Sequence, residues 1–265
     1  MFKFFDDYYY MMPAHFGGMP GSTDASTTYH DVTSINIMYE TDLKMLEQYV
    51  PDAFKVLEPV LSVSYSRNSR VDWMAGGDYR LISVTVPVVY HPDRENLGGG
   101  FSLVVWENKA TPCFPGREVT GIPKVFADIE QHHQLGEKLF THSSYEGSTF
   151  LEMEFLKKEK LGEAQLADIK KELALYNWFG WRYIPNIGRP GAALNHATLF
   201  PQELKFTELY MGEGRVCWKE LTLEQNPTQA HIISALSRLP IISYRECWLA
   251  KGSTVLRNDL ARELP

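Results

Sequence analysis

The sequence predicts an α+β fold built mostly of antiparallel β-structure, and three observations carry that expectation. Seven segments alternate apolar and polar residues with period two, helical stretches are few, and aromatic residues make up 13% of the chain. Period-two alternation marks strands with one buried face. A high aromatic share suits either a β-rich core or a roomy apolar pocket.

The segments follow in order. In "SINIMY" (34–39), Ile35, Ile37 and Tyr39 share one face, and in "LSVSYS" (61–66) Leu61, Val63 and Tyr65 stand opposite three serines. "YRLISVTVPVVY" (79–90) and "FSLVVWE" (101–107) are rich in β-branched and aromatic residues. "TFLEMEFL" (149–156), "RVCWKEL" (215–221) and "YRECWLA" (244–250) complete the strands. Gly98-Gly99-Gly100 reads as a loop between two strands; with no helix after it, it is not a phosphate cradle. Three helices are expected. One spans 41–50 with Thr41 as its cap and Pro51 as its stop, and an amphipathic surface helix spans 160–176. The third spans 226–240, with Asn226 as cap and Pro227 in the first helical position. No repeat or linker divides the chain, so residues 1–265 read as one domain.

Composition narrows the function. The 265 residues carry a formal net charge of −7, which argues against nucleic acid as a partner. No apolar run approaches the 18 residues a membrane helix needs, and Asp6 and Asp7 interrupt the aromatic start in a way a signal peptide does not. Cys113, Cys217 and Cys247 are odd in number and widely spaced, which reads as reduced thiols in a cytoplasmic protein. His132, His133 and His142 have no acid or cysteine at ligand spacing, so no metal site is expected, and the segment reads as solvated loop.

One residue stands out. In "GREVTGIPKVFADIE" (116–130), Lys124 sits between Ile122-Pro123 and Val125-Phe126-Ala127, with no counter-charge beside it. An ordinary lysine, with a pKa of about 10.4, is a free amine in only about one molecule in 2,500 at pH 7. Apolar burial lowers that pKa by up to ~3–5 units and makes the amine a nucleophile towards carbonyl carbon. The alternative is a lysine whose stem is buried and whose head reaches water.

The segments "INIMYETD" (35–42), "PGREVTGIPKVFADI" (115–129) and "YIPNI" (183–187), with "LP" (239–240) and Tyr244 beyond, together resemble the acetoacetate decarboxylase superfamily. The resemblance implies a mostly antiparallel sheet closing around an apolar cavity, with a few peripheral helices and a homo-oligomer. It also implies a Schiff base on Lys124, formed with a small keto acid or ketone. No metal or organic cofactor is then called for, because the iminium is itself the electron sink. Val125 stands where the decarboxylases carry a second lysine, and Glu40 where the resemblance expects a first-strand arginine. Both departures tilt the expected chemistry towards an aldolase-dehydratase reaction on pyruvate-like substrates. A true acetoacetate decarboxylase and a non-catalytic binder of an apolar molecule stay open as alternatives. Glu118 and Tyr244 are the candidate acid–base groups, with an Arg117–Glu118 salt bridge as the structural alternative for Glu118. Arg117, Arg80 and Arg182 are the candidates for binding a substrate carboxylate.

Overall fold

The computed structural model describes residues 3–6, 8–18, 24–91, 96–173 and 175–265. Its first strands are β1 (Thr27–Glu40), β2 (Phe54–Val56), β3 (Val60–Val71), β4 (Gly77–Tyr90) and β5 (Leu97–Glu107), with helix α1 (Leu43–Glu47) after β1. Helix α2 (Ala110–Glu118) leads into β6 (Lys124–Phe126), β7 (Asp128–Ile129), β8 (His133–Leu135), β9 (Lys138–Tyr145) and β10 (Ser148–Lys160). Helix α3 (Glu163–Glu172), β11 (Tyr176–Pro185), β12 (Ala192–Trp218), helix α4 (Ala230–Arg238), β13 (Ser243–Leu256) and β14 (Arg262–Leu264) complete the order.

Mostly antiparallel pairing joins these strands, and seven of them close into a ring: β11, β5, β4, β3, β1, β13, β12 and back to β11. The length of β12 makes closure possible. Its first half pairs with β11 from Ala192 to Gln202, and its middle pairs with β13 on the opposite edge. Its last third leaves the ring to pair with β10, which carries β9 and β7. A closed ring removes the unpaired edges that an open sheet exposes.

The predicted strands all lie within these longer ones, except that 219–221 fall past the end of β12. Three local expectations need correction. Asp42, not Thr41, caps α1, its side chain accepting from the Met45 backbone N–H at 2.9 Å. Asn226 caps a turn that precedes α4, accepting from the Gln229 N–H at 3.0 Å. Gly98-Gly99-Gly100 is not a loop but the start of β5. The glycines are there because β11 crosses so close: a Cβ on Gly99 would lie 2.2 Å from the Asn177 carbonyl oxygen, and one on Gly100 would lie 1.8 Å from the Tyr176 hydroxyl.

Alternation divides the interior. Val104 and Trp106 of β5 belong to the main apolar core, which includes Ile82 and Val84 and is covered by β9, β10 and α4. Val105 points the other way, into a smaller cluster with Tyr29, Val71, Tyr79, Leu81 and Ile122. Trp178 and Leu256 also pack on it, so strands from around the ring contribute. All three cysteines are free. Among the described residues no helix is long and apolar enough to cross a membrane.

The ring closes where β5 meets β11, so Gly99→Ala tests that closure. Overpacking at a backbone contact costs about 1–3 kcal/mol. The substitution is expected to lower the urea unfolding midpoint accordingly; an unchanged midpoint would mean that the two strands part easily at this point.

Candidate active site

Lys124 opens β6, which runs parallel to the end of β5 with Val105 opposite Lys124 and Glu107 opposite Phe126. Paired and alternate residues share a face, so Lys124, Val105 and Glu107 point to the same side, towards the smaller cluster. The Lys124 Nζ lies 2.7 Å from Oε1 of Glu107, whose side chain is completely buried, while that of Lys124 is 13% exposed. The ammonium also donates to the Pro112 carbonyl at 3.3 Å.

The surrounding motif is built to hold this lysine. Helix α2 ends in hydrogen bonds to its own last turn: the Val119 N–H donates to Pro115, and both the Ile122 N–H and the Thr120 hydroxyl donate to the Gly116 carbonyl. Gly121 then reverses the chain at φ +71°, a left-handed conformation that favours glycine. The Thr198 hydroxyl on β12 donates to Thr120 at 2.8 Å and fixes the turn to the ring. Gly116 leaves the space in which the lysine lies, since a Cβ there would come within 2.2, 2.4 and 2.7 Å of Lys124 Cδ, Cε and Nζ. Arg117 donates to the Lys124 carbonyl at 2.9 Å.

Electrostatics reverse the expected protonation. Burial pulls the Lys124 pKa down, but the Glu107 charge, with smaller contributions from Tyr29 and Cys113, outweighs it, and the net pKa is raised. The amine is therefore not kept neutral by an apolar enclosure. Glu107, which precedes α2 in the sequence, is the counter-charge that the local sequence around Lys124 lacks. The buried Cys113 thiol sits against Glu107, and burial together with that carboxylate pushes it up to about 12.

Within electrostatic range of the pair lies a hydroxyl cluster. Tyr79 donates to the Tyr29 hydroxyl at 3.3 Å, Trp73 Nε1 donates to the same oxygen at 3.2 Å, and the two tyrosine rings meet edge to face. Two clefts, of about 410 and 250 Å³, lie elsewhere, on the β9–β10–β12 face and beside Arg80. Lys124 lines neither; its stem packs on Gly116 and its side chain keeps 13% exposure.

Of the other expected site residues, Arg117 and Arg182 lie beside the lysine motif and the rest do not gather here. Tyr244 is 41% exposed, bonds the Val216 backbone and pairs across from Tyr39. Tyr29, within electrostatic range of Lys124, lies ten residues back along β1 from Tyr39, at the other end of the β1–β13 pairing from Tyr244. Glu40 lies at that end too, paired with Arg245 at 2.7 Å, and is not among the groups that shift the Lys124 pKa. Arg80 follows Tyr79 and so points to the opposite face, into the cleft with Asp128 and Glu130. Arg182 stands against the Gly121 turn, where a Cβ on the glycine would come within 2.8 Å of the arginine's own, and its guanidinium pairs with Glu263 at 3.5 Å. Arg117 braces Lys124 through its backbone, and no Arg117–Glu118 ion pair forms; Glu118 ends α2 half-buried. His132 is not a solvated loop residue, because its N–H donates to the buried Tyr65 hydroxyl at 3.2 Å.

Comparison with known proteins bears on this geometry. A family model described as acetoacetate decarboxylase matches residues 11–257. The acetoacetate decarboxylase of Burkholderia cenocepacia (strain HI2424) is 32% identical over 96 residues, which span 36% of this chain and 37% of that enzyme. The crystal structure of acetoacetate decarboxylase from Legionella pneumophila superposes with a TM-score of 0.74 at 20% identity, covering 91% of this chain and 88% of the other. The enduracididine biosynthesis enzyme MppR complexed with pyruvate superposes at 0.68 with 12% identity, covering 94% of each chain.

Gly116→Ala weighs two effects. Alanine favours a helix over glycine by about 1 kcal/mol, whereas parting a buried ion pair costs roughly 3–5 kcal/mol. The unfolding midpoint is therefore expected to fall despite the better helix former; a higher midpoint would show that Lys124 does not need the space over Gly116.

Proposed function

The chain belongs to the acetoacetate decarboxylase family, and on that premise we propose that it is a Schiff-base-forming carbon–carbon lyase acting on a small keto acid, with Lys124 as nucleophile. The observation that carries this reading is the buried Lys124–Glu107 contact at the lysine of the family-like motif.

The ammonium is not itself a nucleophile, and its raised pKa makes spontaneous loss of a proton to water rare at pH 7. Glu107 supplies an internal route. As a substrate enters and excludes water, a proton passes from Lys124 to the carboxylate 2.7 Å away, leaving amine and carboxylic acid, neither charged. The amine attacks the carbonyl carbon, and the protonated Glu107 then delivers its proton to the departing oxygen.

Between the two branches of chemistry, Glu107 favours condensation and dehydration on a pyruvate-like substrate. Loss of carbon dioxide from an iminium needs the electron sink and then one proton delivered to the enamine carbon. Deprotonating the carbon beside the iminium, or expelling a hydroxyl from an aldol adduct, needs a group that takes and returns protons at that place. Val125, where the decarboxylases have a second lysine, points the same way. MppR, of the same fold, has been captured with pyruvate and with the condensation product of pyruvate and imidazole 4-carboxaldehyde. Decarboxylation is the second reading, favoured by the activity for which the curated relatives are named.

Borohydride reduction with pyruvate or acetoacetate at pH 7, followed by peptide mapping, tests the proposal. Lys124 is expected to be labelled ahead of every surface lysine, because Glu107 takes its proton, with pyruvate the better substrate. Lys124→Arg, which keeps a cation beside Glu107, is expected to trap nothing at this position. Trapping with acetoacetate and release of carbon dioxide would select the second reading. Labels confined to surface lysines would point to a binding protein.

A further inference from the structure

Forming an iminium from an ammonium and a ketone moves two protons from nitrogen to the departing oxygen, and Glu107 accounts for one of them. The second needs a group that gives a proton to oxygen and recovers one from nitrogen. The hydroxyl cluster within electrostatic range of the lysine contains a group suited to this.

Each tyrosine hydroxyl has one proton to donate and two lone pairs to accept. The Tyr29 oxygen accepts from Tyr79 at 3.3 Å and from Trp73 Nε1 at 3.2 Å, so both acceptor positions are filled. Its own proton is not used by either contact. Tyr29 is 6% exposed and Tyr79 2%, both in the apolar cluster that holds Val105, the residue paired with Lys124. Two donors aimed at one phenolic oxygen are what a transient phenolate needs to be stabilised.

Resting on the Schiff-base reading of Lys124, we propose that Tyr29 is a further catalytic residue, the proton donor to the substrate carbonyl oxygen during imine formation, held in place by Tyr79 and Trp73. The sequence balances. Glu107 takes the first proton from the Lys124 ammonium. As the amine attacks, the carbonyl π electrons move to oxygen, which takes the Tyr29 proton to become a hydroxyl. The phenolate then removes a proton from the new C–N nitrogen, restoring Tyr29. Protonated Glu107 gives its proton to the hydroxyl, which leaves as water while the nitrogen lone pair forms the C=N bond. One ammonium and one ketone become one protonated imine and one water, with Tyr29 and Glu107 returned to their starting states.

The electrostatic order within the cluster agrees. Burial raises both tyrosines, but Lys124 and the hydrogen bonds from Tyr79 and Trp73 offset part of the rise at Tyr29. Tyr79 has no such relief and stands well above its ordinary value. Tyr29 is thus the more acidic member of the pair.

The test uses the full chain with pyruvate and borohydride, reading the rate of adduct formation on Lys124. Tyr29→Phe keeps the ring and its packing and removes only the hydroxyl. It is expected to slow trapping at least tenfold, while the protein still unfolds cooperatively at a somewhat lower midpoint, because Tyr79 and Trp73 lose their acceptor, and the adduct still maps to Lys124. Trapping at the unaltered rate in Tyr29→Phe would overturn the role of Tyr29 and leave the lysine assignment standing. Absence of any Lys124 adduct in the unaltered protein would remove both. Should Tyr29→Phe fail to unfold cooperatively, Trp73→Phe carries the test. It leaves Tyr29 in place and deletes one donor to it, so slower trapping supports the proposal and an unchanged rate contradicts it.

Discussion

A carboxylate with no exposure to water requires a cation, and the contact between Glu107 and Lys124 meets that need. Removing either charge leaves the other buried and unpaired, at a typical cost of roughly 3–5 kcal/mol. The pair therefore fixes where β6 lies against β5, and through that the course of the whole "GREVTGIPK" segment. Because the folded pKa of Lys124 is raised, its stabilising contribution is fully present below the unfolded lysine value near 10.4 and is lost as pH rises through the folded one. The same closeness that makes the pair structural also makes internal proton transfer available.

The ring of strands turns that contact into a site. Tyr29 enters from β1, Tyr79 from β4, Glu107 from β5 and Lys124 from β6, and closure through β11 and β12 brings all four to one end. The motif around the lysine contributes space and bracing: Gly116 leaves room for the amine, Gly121 reverses the chain, and Arg117 holds the lysine's backbone. In this motif the arginine and glutamate beside the lysine do not face the reacting atoms; the partners that do come from other strands.

Local pattern explains which parts of this were legible beforehand. Strand alternation is a property of neighbouring residues, so Ile35, Val63 and Met153 reveal their strands directly. The family-like motif likewise singled out Lys124. Contacts between strands are not written in any window. Gly98-Gly99-Gly100 looks like a loop until β11 is seen to cross it, and Glu107 reads as the last residue of a strand until β6 brings Lys124 to it. Tyr244 and Arg80 were misplaced for related reasons. Tyr29 and Tyr39 sit ten positions apart on β1, and Tyr244 pairs with the latter rather than the former, while alternation sends Arg80 away from its neighbour Tyr79. One signal was available: Glu107 is the only acid within "FSLVVWE", where an apolar strand makes an unpaired charge expensive.

The central claim is that Glu107 sets the charge of Lys124 against the pull of burial. Titrating the Lys124 side-chain amine by nuclear magnetic resonance, with and without Glu107→Gln, measures this directly, since glutamine keeps the shape and removes the charge. The account predicts an ammonium titrating above the ordinary lysine value in the unaltered protein and below it in the variant, where desolvation acts unopposed. A titration unmoved by the substitution would contradict it.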